Sequence, residues 1–243
     1  MSDIRIIHRK EVDIQRWDAL VSGPVSVFSK SWYLDAVCPD WHAMVLGDYE
    51  AIMAAPFRTK GGFRSFYQPF FSRELAVFGK GDPKAFLDLT REQFHLSGFG
   101  FTSEGPSDGF KTETYIHQWI ELPAAVEEQH KAYSTNTKRM LKRAAKGALE
   151  VRPLTDPAPV WELFRNEKAG EFGHLKAADL GRLHQIMLNA DEQGALRSFG
   201  GYVGDELVAG ATFILNDQTL LYLKGAVSDD GKEVGGMFAV MDA

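Results

Sequence analysis

Two segments of the sequence have the composition and spacing of anion-binding sites. The first, residues 228–236, reads Ser-Asp-Asp-Gly-Lys-Glu-Val-Gly-Gly and lies between a strand pattern and a helical pattern. A glycine-containing loop at the start of a helix presents backbone N–H groups, and the helix dipole favours negative charge there. Ordinary glycine turns before helices are also common, so ligand binding and a purely structural turn both stay open.

The second segment, residues 131–146, contains six Lys or Arg and no Asp or Glu. On a helical wheel, five of these basic residues fall in one arc, opposite an apolar arc. They are Lys138, Arg139, Lys142, Arg143 and Lys146. Because the whole chain has a formal charge of −6, this basic island indicates an anionic ligand at one place. The alternative is a solvated helix face.

The elements that must position these segments follow from periodicity. The basic helix has capping candidates at Ser134–Thr137 and at Gly147. A strand follows it at residues 149–154, and helices are predicted over about 158–169 and 177–192. The next three strands are predicted at residues 197–203, 206–215 and 220–227, with hairpin turns at Gly204-Asp205 and Asn216-Asp217.

The first half of the chain also alternates strands and helices. A hairpin is predicted around Gly47-Asp48, and a helix starts at Asp82 and Pro83, which suit the N-cap and N1 positions. Residues 113–122 alternate in polarity and predict a further strand.

Composition excludes several classes of protein. The 243 residues are 44% hydrophobic, which supports a sizeable core, and the single cysteine, Cys38, excludes an internal disulfide and a Cys-based zinc site. The histidines lack metal-ligand spacing, so no metal is predicted. No apolar run reaches the roughly 18 residues of a membrane span, and the charged N-terminus is unlike a secretory signal. We therefore expect a cytoplasmic protein.

The order of three strands, loop and helix resembles the GNAT acyltransferase superfamily. Its pyrophosphate loop has the pattern Gln/Arg-x-x-Gly-x-Gly/Ala, and the nearest fit here is Lys232-x-x-Gly235-x-Met237. Residues 133–151, which begin Tyr-Ser-Thr-Asn-Thr-Lys-Arg, resemble the helix that opens the second domain of Fem-type (FemAB-type) peptidyltransferases.

The resemblance implies an α/β (α+β) fold of two tandem GNAT-like domains, residues 1–122 and 123–243. Each would have a mixed, mostly antiparallel central sheet flanked by helices. The second domain would bind the acyl donor. Because GNAT domains continue into further strands after the loop helix, the second domain is expected to be incomplete at its C-terminal end.

The resemblance also assigns residues to the site. Tyr222 would protonate the leaving group, and Glu171 or His174 would deprotonate the amine. The basic helix would meet substrate phosphate through Lys138, Arg139 and Lys142. The residues implied in cofactor binding are Lys224, Gly225, Ala226, Val227, Gly231, Lys232, Gly235 and Gly236.

The activity implied is N-acyl transfer from acetyl-CoA, another acyl-CoA or aminoacyl-tRNA to the amine of a small molecule or peptide. Transfer RNA is then an expected partner, and DNA is not. Whether the protein forms a homodimer stays open. One alternative is a non-catalytic GNAT-fold protein that binds a phosphorylated ligand or a protein. A third is RNA binding through residues 138–146, which lack the interleaved aromatic residues typical of such surfaces.

Overall fold

The computed structural model describes residues 3–23, 26–102, 109–167 and 176–243. The chain divides into two compact units, each built from several segments. Unit 1 comprises Met1–Glu113, Gly181–Gln193 and Asn216–Thr219, and unit 2 comprises Thr114–Leu180, Gly194–Leu215 and Leu220–Ala243. The predicted domains, 1–122 and 123–243, stay a prediction.

Unit 1 contains two sheets, ordered β1-β2-β3-β6 and β4-β5-β7. All pairs are antiparallel except β5 with β7. Its elements in chain order are β1 (Ile4–His8), α1 (Ile14–Leu20), α2 (Ser31–Val37), β2 (His42–Leu46), β3 (Ala51–Ala55), β4 (Phe57–Lys60), β5 (Phe63–Tyr67), β6 (Val77–Gly79), α3 (Pro83–Gln93) and β7 (Leu96–Gly98).

Apolar spacing explains the core of unit 1. Helix α1 buries Trp17, whose ring lies 4.7 Å from that of Trp41 and whose indole N–H donates to the Ser29 carbonyl at 2.8 Å. Helix α3 begins as predicted, because the Asp82 carboxylate accepts the Lys84 N–H at 2.9 Å.

Unit 2 contains one sheet, ordered β11-β10-β9-β8. Its elements are α4 (Val126–Ala132), α5 (Thr135–Lys146), β8 (Leu149–Leu154), α6 (Ala158–Glu167), the start of α7 (Ala177–Glu192), β9 (Leu196–Val203), most of β10 (Glu206–Asn216) and of β11 (Thr219–Val227), α8 (Asp229–Val234) and α9 (Gly236–Asp242). Helix α7 continues along the chain into unit 1.

The two faces of the β8–β11 sheet pack against different helices. On one face, Ala209, Ala211 and Phe213 form a core with Val240 of α9. On the other face, Val160 of α6 lies over Gly210, within 2.9 Å of where a Cβ would stand. The sheet is therefore covered on both sides, which explains why β10 is buried along nearly its whole length.

Most predicted elements of the second half are confirmed. The three strands of residues 197–227 form as expected, and the Ser134 hydroxyl caps α5 by accepting the Thr137 N–H at 3.1 Å. The turn predicted at Asn216-Asp217 is shifted, since β10 ends at Asn216 and Asp217 takes a left-handed conformation with φ 52°. Aspartate tolerates that conformation, so the hairpin closes one residue later.

The strand predicted at residues 113–122 is wrong. This segment has no regular secondary structure, and Ile116 and Ile120 are 87% and 85% exposed. Alternating polarity makes a segment compatible with a strand, but a strand forms only where a neighbouring strand accepts its hydrogen bonds. No sheet in the described part of the chain supplies that neighbour.

The predicted fold class is confirmed: helices flank mostly antiparallel sheets. Within the described ranges, no helix combines the length and apolar character needed to cross a bilayer. The same ranges contain no group of three or more His, Cys, Asp or Glu side chains arranged to hold a metal ion.

Stability is expected to fall in mild acid because of His42. Burial, the nearby His8 and Arg64 lower the pKa of His42 below 6.5, although a backbone hydrogen bond at Asp40 and the Asp40 charge oppose this. Its Nδ1 is buried and has no hydrogen-bond partner among the described residues. The unfolded chain therefore binds a proton before the folded chain does, and stability drops as pH falls through 6.5.

Replacing His42 with Phe removes this titration and keeps a ring against Phe57, whose centroid lies 4.3 Å away. Urea unfolding between pH 5 and 7.5 should show a shallower pH dependence in the variant. Measurement at pH 8 isolates the packing change, because His42 is neutral in both states there. Identical slopes below pH 6.5 would contradict the prediction.

Candidate active site

The centre of the candidate site is a break in the regular alternation of β11. The Tyr222 ring contacts the Phe213 ring at 5.6 Å, on the sheet face that packs against α9. The Lys224 ammonium lies 5.1 Å from the Phe164 ring of α6, on the opposite face. Residues two apart in a regular strand share a face. The reversal between them is the behaviour of a β-bulge, which re-aims side chains.

Gly225 completes this irregularity. A Cβ at position 225 would lie 2.7 Å from the Gly210 carbonyl oxygen, 2.8 Å from the Tyr222 hydroxyl and 3.3 Å from the Ala211 Cβ. Tyr222 and Gly225, although three residues apart, thus lie on the same face of the sheet as Ala211. The Thr212 hydroxyl donates to the Lys224 carbonyl at 3.1 Å, which satisfies one backbone group at the bulge. Only glycine leaves room for the Tyr222 hydroxyl above this backbone.

Partial burial shifts the pKa values of both ionisable side chains on this strand. It raises the pKa of Tyr222 above 10, because the phenolate loses hydration. It lowers the pKa of Lys224 below 10.5, because burial disfavours the ammonium. Near neutral pH the Tyr222 hydroxyl is therefore protonated and can donate a proton, and the residue as a whole is 47% exposed.

The glycine-containing segment is not the loop that the sequence predicted. Residues Asp229–Val234 form helix α8, and the Ser228 hydroxyl accepts the Gly231 N–H at 3.1 Å. Serine followed by two aspartates is a favourable helix start, because serine caps the N–H groups and the acids complement the helix dipole. The same acids make this helix start less favourable for a phosphate.

Gly235 acts as the C-cap of α8. It has φ 78°, and its N–H donates to the Lys232 carbonyl at 3.3 Å. A Cβ there would lie 2.8 Å from the Met140 carbonyl oxygen of α5. The Lys232 ammonium forms an ion pair with Asp229 at 2.7 Å. Structural roles thus account for these residues, and their predicted contact with a cofactor stays a prediction.

Helix α5 presents the predicted basic face to solvent. All five basic residues of that face, Lys138, Arg139, Lys142, Arg143 and Lys146, are exposed, and Ala144 is buried beneath them. Ala145, which the wheel placed on the packing side, is exposed. In the described part of the chain, none of the five forms an ion pair with a carboxylate. Their charge is therefore available to an anion.

The structure brings some predicted site residues together and leaves others undescribed. Helix α5 packs on the Gly235 turn through Met140, so the two anion-site candidates of unit 2 are neighbours. Glu171 and His174, the predicted bases, lie outside the described residues.

Sequence reasoning missed a histidine–carboxylate pair in unit 2. His130 Nε2 lies 2.9 Å from Asp242 Oδ1, and the Tyr133 hydroxyl donates to the same oxygen at 2.8 Å. His130 and Asp242 are 112 positions apart in the chain, so spacing offered no signal. A neutral imidazole in this pair can accept a proton, which adds His130 to the candidate bases.

The second half of the chain is similar to a known family of domains. Residues 131–241 match the family model described as an acetyltransferase (GNAT) domain. The matched segment contains the basic helix α5, strand β11 and helix α8. It supports the GNAT superfamily for this part of the chain. The Fem-like branch is not distinguished by this match.

Two solved structures are similar over most of the chain. A conserved protein of unknown function from Bacteroides thetaiotaomicron aligns with a TM-score of 0.53 and 11% identity, covering 99% of this chain and 86% of the other. That likeness concerns the fold alone. The C-terminal domain of a protein described as a lysylphosphatidylglycerol synthetase from Agrobacterium fabrum aligns with a TM-score of 0.47 and 11% identity, covering 96% and 74%. No curated protein matches the sequence.

Proposed function

We propose that the protein is an N-acyltransferase of the Fem-like branch of the GNAT superfamily. It transfers an acetyl, other acyl or aminoacyl group from acyl-CoA or aminoacyl-tRNA to the amine of a small molecule or peptide. The observation that carries the proposal is the match of residues 131–241 to the acetyltransferase (GNAT) domain. Both donors are made in the cytoplasm, so we place the reaction there.

In the proposed reaction, the amine nitrogen attacks the carbonyl carbon of the donor, forming the C–N bond as the bond to sulfur or oxygen breaks. Backbone N–H groups of Lys224 to Val227 stabilise the developing oxyanion. Tyr222 gives its phenolic proton to the leaving atom, which its raised pKa allows near neutral pH. Glu171, His174 or His130 accepts the proton that the amine loses.

The basic face of α5 supplies the binding energy for the donor in this proposal. Phosphate groups of CoA or of tRNA complement its five exposed cations, and Lys138, Arg139 and Lys142 are the residues we assign to that contact. The support for this assignment is their exposure and the absence of carboxylate partners in the described chain.

A non-catalytic binding protein is the second candidate. Three observations favour it: α8 occupies the predicted loop, Asp229 neutralises Lys232, and α5 covers Gly235. Such a protein would keep the fold but lack an anion-binding loop at residues 228–236. It would bind an anion through α5 without transferring an acyl group.

Thermal stabilisation by acetyl-CoA and by CoA, each at about 1 mM, tests the proposal. A ligand present at 100 times its Kd stabilises the folded protein by about 2.7 kcal/mol, which is readily seen as a higher melting temperature. Lys142→Glu should abolish the shift, because the side chain is exposed and the substitution reverses its charge. Lys10→Glu, an equally exposed reversal in unit 1, should leave the shift intact.

Failure of both ligands to shift the melting temperature would contradict the CoA version. The aminoacyl-tRNA version is tested by electrophoretic retardation of a mixed aminoacyl-tRNA pool, with deacylated tRNA as the control. Binding without transfer of the acetyl or aminoacyl group to any of a panel of primary amines would favour the non-catalytic candidate.

A further inference from the structure

The β4–β5 hairpin of unit 1 presents basic and aromatic side chains together on one surface. In an antiparallel pair, directly opposed residues share a face, and here Lys60 is opposite Phe63 and Arg58 is opposite Ser65. On the parallel side of β5, Ser65 pairs with Leu96 of β7. These residues therefore form one face, which we call the hairpin face: Arg58, Lys60, Phe63, Ser65 and Leu96.

We propose that the hairpin face binds a short stretch of single-stranded nucleic acid, with a base stacked on Phe63 and phosphates held by Arg58 and Lys60. The proposal concerns unit 1 alone and does not rest on acyl transfer.

Charge is the first support. The hairpin face carries two cations, Arg58 and Lys60, and no carboxylate, in a chain whose formal charge is −6. Arg58 and Lys60 are both exposed, so a polyanion can reach them. Such a local excess of positive charge on an acidic protein is the footprint expected of a phosphate-binding surface.

The exposed aromatic ring is the second support. Phe63 is 65% exposed and Leu96 is 69% exposed, so both apolar side chains are accessible to a ligand. The Phe63 ring lies 4.9 Å from the His95 ring at 47°, and most of its surface is still exposed. An exposed aromatic beside cations is the arrangement on which unpaired bases stack.

The position of the Arg58 guanidinium is the third support. The Arg58 guanidinium lies 4.3 Å from the centroid of Tyr67, and this stacking holds its donors in a fixed plane. Because opposed residues have Cβ atoms about 5 Å apart, Lys60 can meet the phosphate of the nucleotide that stacks on Phe63.

The hairpin face differs in kind from the basic face of α5. Helix α5 offers five cations without an exposed aromatic ring between them, which suits a compact phosphate group. The hairpin face combines fewer cations with a stacking surface, which suits an extended strand of bases.

Fluorescence anisotropy with labelled 12-nucleotide oligo(U) RNA and oligo(dT) DNA at 50 mM salt tests the proposal. Two phosphate contacts, one each at Arg58 and Lys60, predict a slope of log K against log salt of about −1.4 for a single strand. Phe63→Leu, which keeps an apolar side chain but removes the aromatic ring, should weaken binding about tenfold. Lys60→Glu should weaken binding and reduce the slope by at least about 0.7.

Matched controls separate the hairpin face from other surfaces. Lys80→Glu reverses an exposed charge elsewhere in unit 1 and should bind like the wild type. Tight binding to both RNA and DNA supports recognition of bases and phosphates, and tighter binding to RNA adds a contact with the 2′-hydroxyl.

Three results would overturn the proposal. The first is no binding by the folded wild-type protein at 50 mM salt. The second is wild-type affinity in both Phe63→Leu and Lys60→Glu. The third is loss of binding in Lys142→Glu alone, which would place the nucleic acid on α5. Circular dichroism confirms that each variant is folded. None of these outcomes depends on whether CoA binds, so the two proposals fail separately.

Discussion

Replacing Tyr222 with Phe is expected to lower the rate of acyl transfer by about 10²- to 10⁴-fold, the range for removal of a general acid. The aromatic ring stays against Phe213, so the melting temperature should change little. The rate is measured as thiol release from acetyl-CoA in the presence of a panel of primary amines, under conditions that saturate the donor.

Tyr202→Phe is the matched control for this prediction. Tyr202 lies in strand β9 of the same sheet, separated from β11 by β10, and its ring packs against the Arg152 guanidinium at 5.0 Å. Removing that hydroxyl should leave the rate unchanged. Equal rates in Tyr222→Phe and the wild type would exclude Tyr222 as the proton donor and favour protonation of the leaving group by solvent.

The pH dependence of the acyl-transfer rate is a second test of Tyr222 as the proton donor. Burial raises its pKa above 10, so the protonated, active form predominates at neutral and mildly basic pH. The midpoint of the activity loss that follows its ionisation should therefore lie above pH 10, and Tyr222→Phe should lack this basic limb.

The second large effect is expected at Gly235, on stability. An alanine there must adopt a left-handed conformation at a cost of roughly 1–2 kcal/mol. Its Cβ would also lie 2.8 Å from the Met140 carbonyl oxygen, and forced overpacking costs about 1–3 kcal/mol more. We therefore expect Gly235→Ala to lower the free energy of unfolding by about 2–5 kcal/mol, measured by urea denaturation.

Gly204→Ala separates these two contributions. Gly204 also has a positive φ, 61°, but nothing lies within 4 Å of its Cβ position. This variant should lose only the conformational part, roughly 1–2 kcal/mol. Equal losses at both positions would show that the contact with α5 contributes nothing, and would reopen Gly235 as a residue placed for a ligand.

Local patterns were sufficient for many elements. Residues 135–146 form a helix because apolar and basic side chains alternate with helical period and Ser134 caps the first turn. Strands β9 to β11 follow from apolar runs punctuated by turn residues. These signals depend on residues close in the chain, so the sequence expresses them directly.

Two local predictions failed where neighbours in space decided the outcome. The Ser-Asp-Asp start of residues 228–236 is a helix signal as well as a turn signal, and packing of Gly235 beneath α5 favoured the helix. Residues 113–122 have the pattern of a strand, but no described strand pairs with them.

By itself, the sequence determined the fold class and the capped basic helix, because composition and periodicity carry that information. Only the tertiary structure decided which residues of separate elements meet. The reversal of Tyr222 and Lys224 across the sheet, the space that Gly225 leaves for the phenol and the meeting of His130 with Asp242 all join separate elements. Such contacts depend on how strands bulge and helices pack, which no local pattern in the chain encodes.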